Sequence, residues 1–210
     1  MTKRNPLTHL KTYNAKATQA AILDAAEEEF AKHGLAAAHT EVIATKSGVT
    51  KTMIYYYFQN KEGLYLAMLK RAFVERFQEI QAMNLDQLAP NIALEQFLHY
   101  FLSQLNKNPN LPMIMLYEAM QNQGKYHEEI EILEFYRLLT TILKGGVASG
   151  VFRPLDPQHM AVNLIGTCIF YFCAKENIKH LWEKKRLLGK EMLTQHQQEA
   201  IRFVLAGVRA

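Results

Sequence analysis

The chain has 210 residues, of which 49% are hydrophobic and 21% are charged, and its formal net charge is +4. This length can form one globular domain or two small ones around a sizeable core. The charge is too small to establish a nucleic-acid partner by itself. The most apolar stretch, residues 164–173, is far shorter than the ~20 residues that a membrane span needs, which argues against an integral membrane protein.

Residues 1–15 are predicted to form a flexible basic arm. They contain Lys3, Arg4 and Lys11, and no acid precedes Asp24. An ordinary frayed terminus is the alternative. Pro6 and the scattered lysines interrupt any apolar run, so no signal peptide is expected.

The two cysteines indicate where the protein works. Cys168 and Cys173 lie five residues apart in an apolar run. This is neither a zinc-site spacing nor a disulfide framework. We therefore predict two inert thiols in the core of a cytoplasmic protein.

Residues 16–58 show the pattern of three helices. Ile22, Ala26 and Phe30 recur at helical spacing from residue 16 to residue 33, and Gly34 fits the end of this first helix. A short helix is predicted over residues 40–47. Gly48 then provides a tight turn before a third helix, which gives a helix-turn-helix within a three-helix unit.

The helix after Gly48 has two distinct faces. Thr50 can cap its start, and Ile54 and Phe58 share the face that can pack on a core. The other face carries one cation and three hydroxyls and has no acid of its own: Lys51, Thr52, Tyr55 and Tyr56. Such a face suits the phosphates and base edges of DNA. The alternative is an amphipathic helix whose tyrosines are half-buried in the core.

The rest of the chain is also predicted to be helical. Asn60 and Asp156 are N-cap candidates, and the run Thr194 to Gln197 fits a capping box. No stretch shows sustained strand alternation, so the predicted fold is all-α with about nine helices. The later predicted helices cover residues 61–82, 92–105, 113–123, 128–149, 157–177 and 194–207.

No catalytic residue, metal site or cofactor is predicted. The eight histidines are scattered, and no catalytic triad order, phosphate-binding loop or metal-ligand spacing is evident. An enzyme and a helix-turn-helix that contacts only proteins are the rival classes.

The C-terminal half is rich in methionine and aromatic residues, which adapt to irregular ligand shapes. They are candidates for a pocket that binds a small apolar or aromatic effector, and the alternative for each is ordinary core. The candidates are Met113, Met115, Tyr117, Met120, Phe135, Cys168, Tyr171 and Phe172.

The motifs of residues 18–70 resemble those of the TetR family of transcriptional regulators. The motif residues are Ile22 to Ala26, Phe30-Ala31, Gly34, Ile43-Ala44, Gly48 to Lys51, Ile54 to Phe58 and Lys61 to Leu64. Gly150 to Pro157 resembles the link before the eighth helix of the family, and parts of the C-terminal half resemble regulators of the RutR type. Glu29 stands where the family often has leucine, so we expect that turn to be more exposed here.

The resemblance implies a repressor that binds double-stranded DNA, releases it when an effector binds, and has no enzyme activity. It implies that Thr50, Lys51, Thr52 and Met53 meet the major groove. Tyr55, Tyr56, Lys61 and Thr40 would then contact mainly phosphates. Residues 16–62 would form the DNA-binding domain, and residues 63–210 the regulatory and dimerisation domain. Control by abundance alone, without an effector, is the alternative.

A homodimer on an inverted-repeat operator is expected, because one short recognition helix contacts too few bases for a selective site. We predict that the last two long helices pair across the dimer. Met160, Leu164, Val204 and Leu205 are candidates for an apolar seam, although these side chains could instead be internal core.

Overall fold

The computed structural model describes residues 6–182 and 184–210, with side chains from residue 15 onward. These residues form helices and no strand, apart from one isolated antiparallel bridge between Phe152 and Arg209. The described part of the chain contains ten α-helices: α1 (Pro6–Ala37), α2 (Thr40–Ser47), α3 (Lys51–Phe58), α4 (Lys61–Gln81), α5 (Pro90–Lys107), α6 (Leu111–Gln121), α7 (Ile132–Ala148), α8 (Pro157–Cys173), α9 (Lys175–Ile178) and α10 (Lys190–Val208). The all-α prediction is confirmed, with one helix more than expected.

The first helix begins at Pro6, earlier than the predicted start at Lys16. Residues 6–15, which we assigned to a basic arm, are therefore helical here, and residues 1–5 lie outside the described residues. Gly34 has non-helical dihedral angles, φ 70° and ψ −178°, and breaks the helix near its end. The positive φ explains why glycine occupies the predicted helix end.

Helices α1, α2 and α3 form the expected three-helix unit. Gly48 ends α2 in the left-handed conformation at φ 71°, and the Thr50 hydroxyl caps α3 by accepting a hydrogen bond from the Met53 amide at 3.3 Å. Four apolar side chains are completely buried at the centre of the unit: Ile22, Phe30, Ile43 and Ile54. This core confirms the inward face predicted for α3 and fixes the orientation of its other face.

Helix α4 connects this unit to the rest of the molecule. Asn60 caps it by accepting a hydrogen bond from the Gly63 amide at 2.8 Å. On α4, Arg71 pairs with Asp24 of α1 at 2.8 Å and approaches Glu27 at 3.6 Å. The far half of α4 packs among α5 and α7, with Phe77 against Phe135. Helix α4 therefore contacts both the three-helix unit and the C-terminal helices.

The predicted starts of α7 and α10 were also wrong. Helix α7 begins at Ile132 rather than at Glu128, because Glu131 has a positive φ of 53° and the preceding residues form turns. Helix α10 begins at Lys190 after Gly189, which has extended backbone angles. Thr194 therefore lies inside α10, and the predicted capping box is not the helix start.

The predicted apolar seam was also wrong in part. Leu164 and Val204 are buried within the subunit, with 4% and 2% of their surface exposed. Three other apolar side chains on the same two helices point to solvent. They are Val162 and Phe170 on α8 and Phe203 on α10, and they are 59–69% exposed.

Gly146 allows a close contact that no larger residue would allow. A Cβ atom at this position of α7 would lie 1.9 Å from Cδ2 of Phe152, which is itself 3% exposed. At the adjacent Gly145, a Cβ would meet only Pro90 Cγ at 3.9 Å, an ordinary contact. The two neighbouring glycines therefore differ in role.

We expect Gly146→Ala to destabilise the protein by about 1–3 kcal/mol, because the buried Phe152 ring must shift to accommodate the new methyl group. Gly145→Ala is the matched control and should stabilise by about 0.5–1 kcal/mol through higher helix propensity. Urea unfolding followed by circular dichroism measures both. Equal effects of the two substitutions would contradict the packing role of Gly146.

Candidate nucleic-acid interface and effector cavity

The outward face of α3 is accessible over its whole length. Thr52 and Met53 are exposed near its start, and Tyr56 is the most exposed aromatic residue of the helix, at 81%. Tyr56 contacts the ring of Tyr57 edge-to-face, with centroids 5.2 Å apart. These exposed side chains can reach a partner without any rearrangement of the fold.

Lys51 is paired with an acid from another helix. Its ammonium donates a hydrogen bond to Glu41 in the first turn of α2, and it lies 5.7 Å from the Tyr55 ring centroid. The hydrogen bond from Lys51 lowers the pKa of Glu41, and the same bond raises the pKa of Lys51. The face of α3 thus has a neighbouring acid that the periodicity of α3 alone could not reveal.

Tyr55 and Thr40 connect α3 to α2. Their hydroxyl oxygens lie 3.3 Å apart, and Thr40 is 4% exposed. In this geometry Thr40 positions the Tyr55 ring, and its own hydroxyl is largely covered. The Thr50 hydroxyl is also engaged within the protein, because it accepts a hydrogen bond from the Met53 amide as the N-cap of α3.

Lys61 is engaged with the end of α1. Its ammonium donates to the carbonyl oxygens of Ala36 at 2.9 Å and Ala38 at 3.2 Å. These bonds satisfy carbonyls at a helix end, where partners are otherwise missing. Lys61 thus holds the start of α4 against α1.

The expectation that Glu29 makes its turn more exposed was wrong. Glu29 is 3% exposed, and its carboxylate accepts a hydrogen bond from the His39 amide at 3.1 Å. His39 is the residue before α2, where helix amides lack partners. The carboxylate also lies at the positive end of the α2 dipole. Glu29 therefore fixes the start of α2 relative to α1.

A buried polar cluster joins α4 to α6. The carboxylate of Glu118, 4% exposed on α6, accepts hydrogen bonds from the Tyr65 hydroxyl at 3.0 Å, the Asn122 amide group at 2.6 Å and the Tyr126 backbone amide at 3.1 Å. Burial, followed by the Glu118 charge, raises the pKa of Tyr65. The sequence analysis missed Glu118, because a single acid in an apolar helix carries no motif.

A small cavity lies among α4, α5, α6, α7 and α8. Its volume is about 30 Å³ and its surface is apolar. Of the predicted pocket residues, Met115 and Phe135 line it. The full lining is Phe73, Arg76, Tyr100, Phe101, Gln104, Leu105, Leu111, Met115, Ile132, Phe135, Tyr136 and Ile165.

The other six predicted pocket residues lie elsewhere. Met113 is half-buried on α6. On the same helix, the Tyr117 hydroxyl donates to the Lys32 carbonyl of α1 at 3.0 Å, and Met120 is 71% exposed. Helical spacing could not distinguish these positions from the cavity wall.

The remaining three pack between α8 and α10. Tyr171 stacks on His196 with centroids 4.1 Å apart, and Phe172 meets the same ring edge-to-face. Burial raises the pKa of Cys168 to about 12, which keeps its thiol protonated. Among the described residues, no group of three or more His, Cys, Asp or Glu side chains could hold a metal ion.

We expect Glu118→Ala to lower the free energy of unfolding by about 2–3 kcal/mol, because it removes the acceptor of three buried donors. The measurement is urea unfolding of the full chain. Glu128→Ala, which removes a carboxylate that is 86% exposed, is the control and should change stability little. An unchanged unfolding midpoint for Glu118→Ala would show that the cluster does not stabilise the fold.

Comparison with known proteins agrees with this geometry. The family model described as bacterial regulatory proteins, tetR family, matches residues 22–68. A second model, the tetracyclin repressor-like C-terminal domain, matches residues 90–204. The first match covers most of the helix-turn-helix unit and the start of α4, and the second covers α5 to α9 and most of α10.

Individual proteins show the same similarity. The chain is 29% identical over 146 residues to the HTH-type transcriptional regulator RutR of Escherichia coli K12, which covers 69% of this chain and 68% of the relative. It is 32% identical over 152 residues to the fatty acid metabolism regulator protein of Bacillus subtilis, covering 70% and 77%. The solved structure of FadR from Bacillus subtilis in complex with stearoyl-CoA has a TM-score of 0.67, 23% identity and coverage of 90% and 99%.

The described helices include none that is long and apolar enough to cross a membrane. The helix-turn-helix with its accessible face, the helical C-terminal part and the two family matches agree with one another. The chain belongs to the TetR family of helix-turn-helix, DNA-binding transcriptional regulators.

Proposed function

We propose that the protein is a repressor that binds an inverted-repeat operator as a homodimer and leaves it when a small effector binds. The observation that carries the proposal is the exposed face of α3, which a buried three-helix core holds outward. Thr52, Met53 and Tyr56 reach the major groove or its phosphates without rearrangement. In this proposal the protein acts on DNA in the bacterial cytoplasm, as a regulator and not as an enzyme.

Lys51 must exchange partners when DNA arrives. Its bond to Glu41 is solvent-exposed, and exposed ion pairs contribute little to stability. A phosphate can therefore replace the carboxylate at small cost. Glu41 then stands beside the DNA, where its charge disfavours non-specific phosphate contact and its oxygens can accept from the amino group of cytosine.

The two parts of the chain have separate tasks in this proposal. Residues 16–62 read the operator, and residues 63–210 dimerise and receive the effector. Relatives are named as regulators and repressors, including the transcriptional repressor NicS of Pseudomonas putida. Effector binding releases DNA if the effector prefers a spacing of the two α3 helices that no longer fits successive major grooves.

Two exposed aromatic side chains support a dimer built on α8 and α10. Phe170 is 65% exposed on α8, and Phe203 is 69% exposed on α10. Large exposed apolar side chains can mark an interaction site. Pairing of α8 and α10 with a second copy would cover both rings and place two α3 helices on one DNA duplex. Val162 of α8 instead lines a groove between α7 and α8.

We expect Lys51→Ala and Tyr56→Ala each to weaken operator binding about tenfold, because each removes a contact to the groove or its phosphates. Glu41→Gln should strengthen binding to random DNA several-fold, since it frees Lys51 and removes a negative charge. Fluorescence anisotropy at fixed salt measures these affinities, with an operator selected from a random pool. Unchanged operator affinity for both alanine variants would refute the assignment of α3 as the recognition helix.

The dimer prediction uses charge at the exposed phenylalanines. Phe170→Lys and Phe203→Lys should each shift the mass in light scattering at micromolar concentration from twice 24.2 kDa toward 24.2 kDa. Met120→Lys, which replaces an equally exposed apolar side chain on α6, is the control and should leave the mass unchanged. A wild-type protein that is monomeric under these conditions would contradict the proposed dimer.

A further inference from the structure

The accessible surface of the cavity is apolar, and the cavity is small in this conformation. Its volume is about 30 Å³. Ligand pockets in proteins usually measure about 300–1,000 Å³. The described conformation is thus closed, and a ligand requires a neighbouring side chain to move.

Tyr136 is the side chain that separates the cavity from a large surface groove. The groove runs along α7 and α8 and has a volume of about 610 Å³. Among the described residues, only Tyr136 lines both spaces. Movement of this ring would join them into one site.

Packing against the core, without a hydrogen bond in the described part of the chain, holds the Tyr136 ring in place. The ring is half-buried, and its hydroxyl makes no hydrogen bond to any described residue. Burial raises its pKa, so the hydroxyl stays neutral. Turning the ring outward breaks no hydrogen bond to the described residues.

The groove outside Tyr136 favours a negative charge. Arg137 and Lys144 line it together with the hydroxyls of Thr140 and Thr141, and no acid is among its lining residues. Arg137 is bonded to Glu134, whereas Lys144 is exposed and makes no ion pair with any described residue. One ammonium is thus free to bind an anion at the mouth of an apolar cavity.

We infer that Tyr136 is a gate, and that the effector is an aliphatic chain with an anionic head. The chain enters the apolar cavity when Tyr136 swings outward, and the head binds Lys144 and Arg137 in the groove. This inference rests on the proposed function only in taking the bound molecule to be the effector. The ligand is thus an anionic amphiphile, and Tyr136, Arg137 and Lys144 receive it.

The test is calorimetric titration of the full-length protein, without DNA, with decanoate, decan-1-ol and butanoate. Decanoate should bind more tightly than decan-1-ol, which lacks the charge, and than butanoate, which lacks most of the chain. Lys144→Ala should weaken decanoate about tenfold and leave decan-1-ol unchanged. Lys190→Ala removes an exposed charge outside the groove and is the control that should change neither.

Two further variants test the roles of Tyr136 and of the cavity separately. Tyr136→Ala should speed decanoate association in stopped-flow measurements, since it removes the barrier between groove and cavity. Leu105→Phe fills the cavity and should weaken decanoate and decan-1-ol together. Failure of decanoate to bind would overturn the inference, as would binding that Lys144→Ala and Leu105→Phe do not change.

An operator-release assay with decanoate separates this inference from the proposed function. Decanoate that binds with the expected variant effects but leaves the operator bound would support the site and contradict effector release by this class of ligand. Release by an uncharged or aromatic compound, with no binding of decanoate, would contradict the ligand class and leave the proposed repressor intact.

Discussion

The structure depends on Tyr65, whose ring and hydroxyl belong to different parts of the molecule. The ring meets Phe30 of α1 edge-to-face with centroids 4.9 Å apart, inside the core beneath the helix-turn-helix. The hydroxyl donates to Glu118 of α6, next to the helices that line the cavity. Since buried groups of this kind tolerate little displacement, a movement of α6 must be passed to α1 and α4. This contact joins the C-terminal helices to the helix-turn-helix unit, as does the bond from the Tyr117 hydroxyl of α6 to the Lys32 carbonyl of α1.

The electrostatics of the DNA-facing unit reflect a protein that must bind DNA selectively. In the described part of that unit, Lys46 pairs with Glu28 and Lys51 pairs with Glu41, while Lys61 binds two carbonyls. These exposed ion pairs partly neutralise the lysine charges, which weakens their attraction to the phosphates of random DNA. Because the pairs contribute little stability, a correctly positioned operator phosphate can still replace the carboxylate. Affinity then comes from a matched surface of the operator, in addition to net charge, and this agrees with the small total charge of the chain.

The C-terminal helices combine tight packing with a tyrosine beside the cavity that packing alone holds among the described residues. Gly146 accepts Phe152 at close range, and Tyr171 stacks on His196 between α8 and α10. Tyr136, beside the cavity, has packing contacts and no hydrogen bond to the described residues. If the Tyr136 ring moves when a ligand enters, the surrounding helices would shift as packed units. Ligand binding would then favour one of two discrete helix arrangements over the other.

The sequence alone determined the helices, the helix-turn-helix and the family, because these depend on local spacing. Apolar residues at helical intervals, Gly48 at a positive φ and the caps Thr50, Asn60 and Asp156 act within a few residues of one another. Tertiary structure alone decided the placements that join distant residues. The tertiary structure pairs Glu41 with Lys51 and buries Glu29 beside the start of α2. It also bonds the Tyr65 hydroxyl to Glu118 and leaves six of the eight predicted pocket residues outside the cavity. The physical reason is that helical periodicity shows which face of a helix is apolar, whereas the neighbour that covers this face depends on how the helices cross.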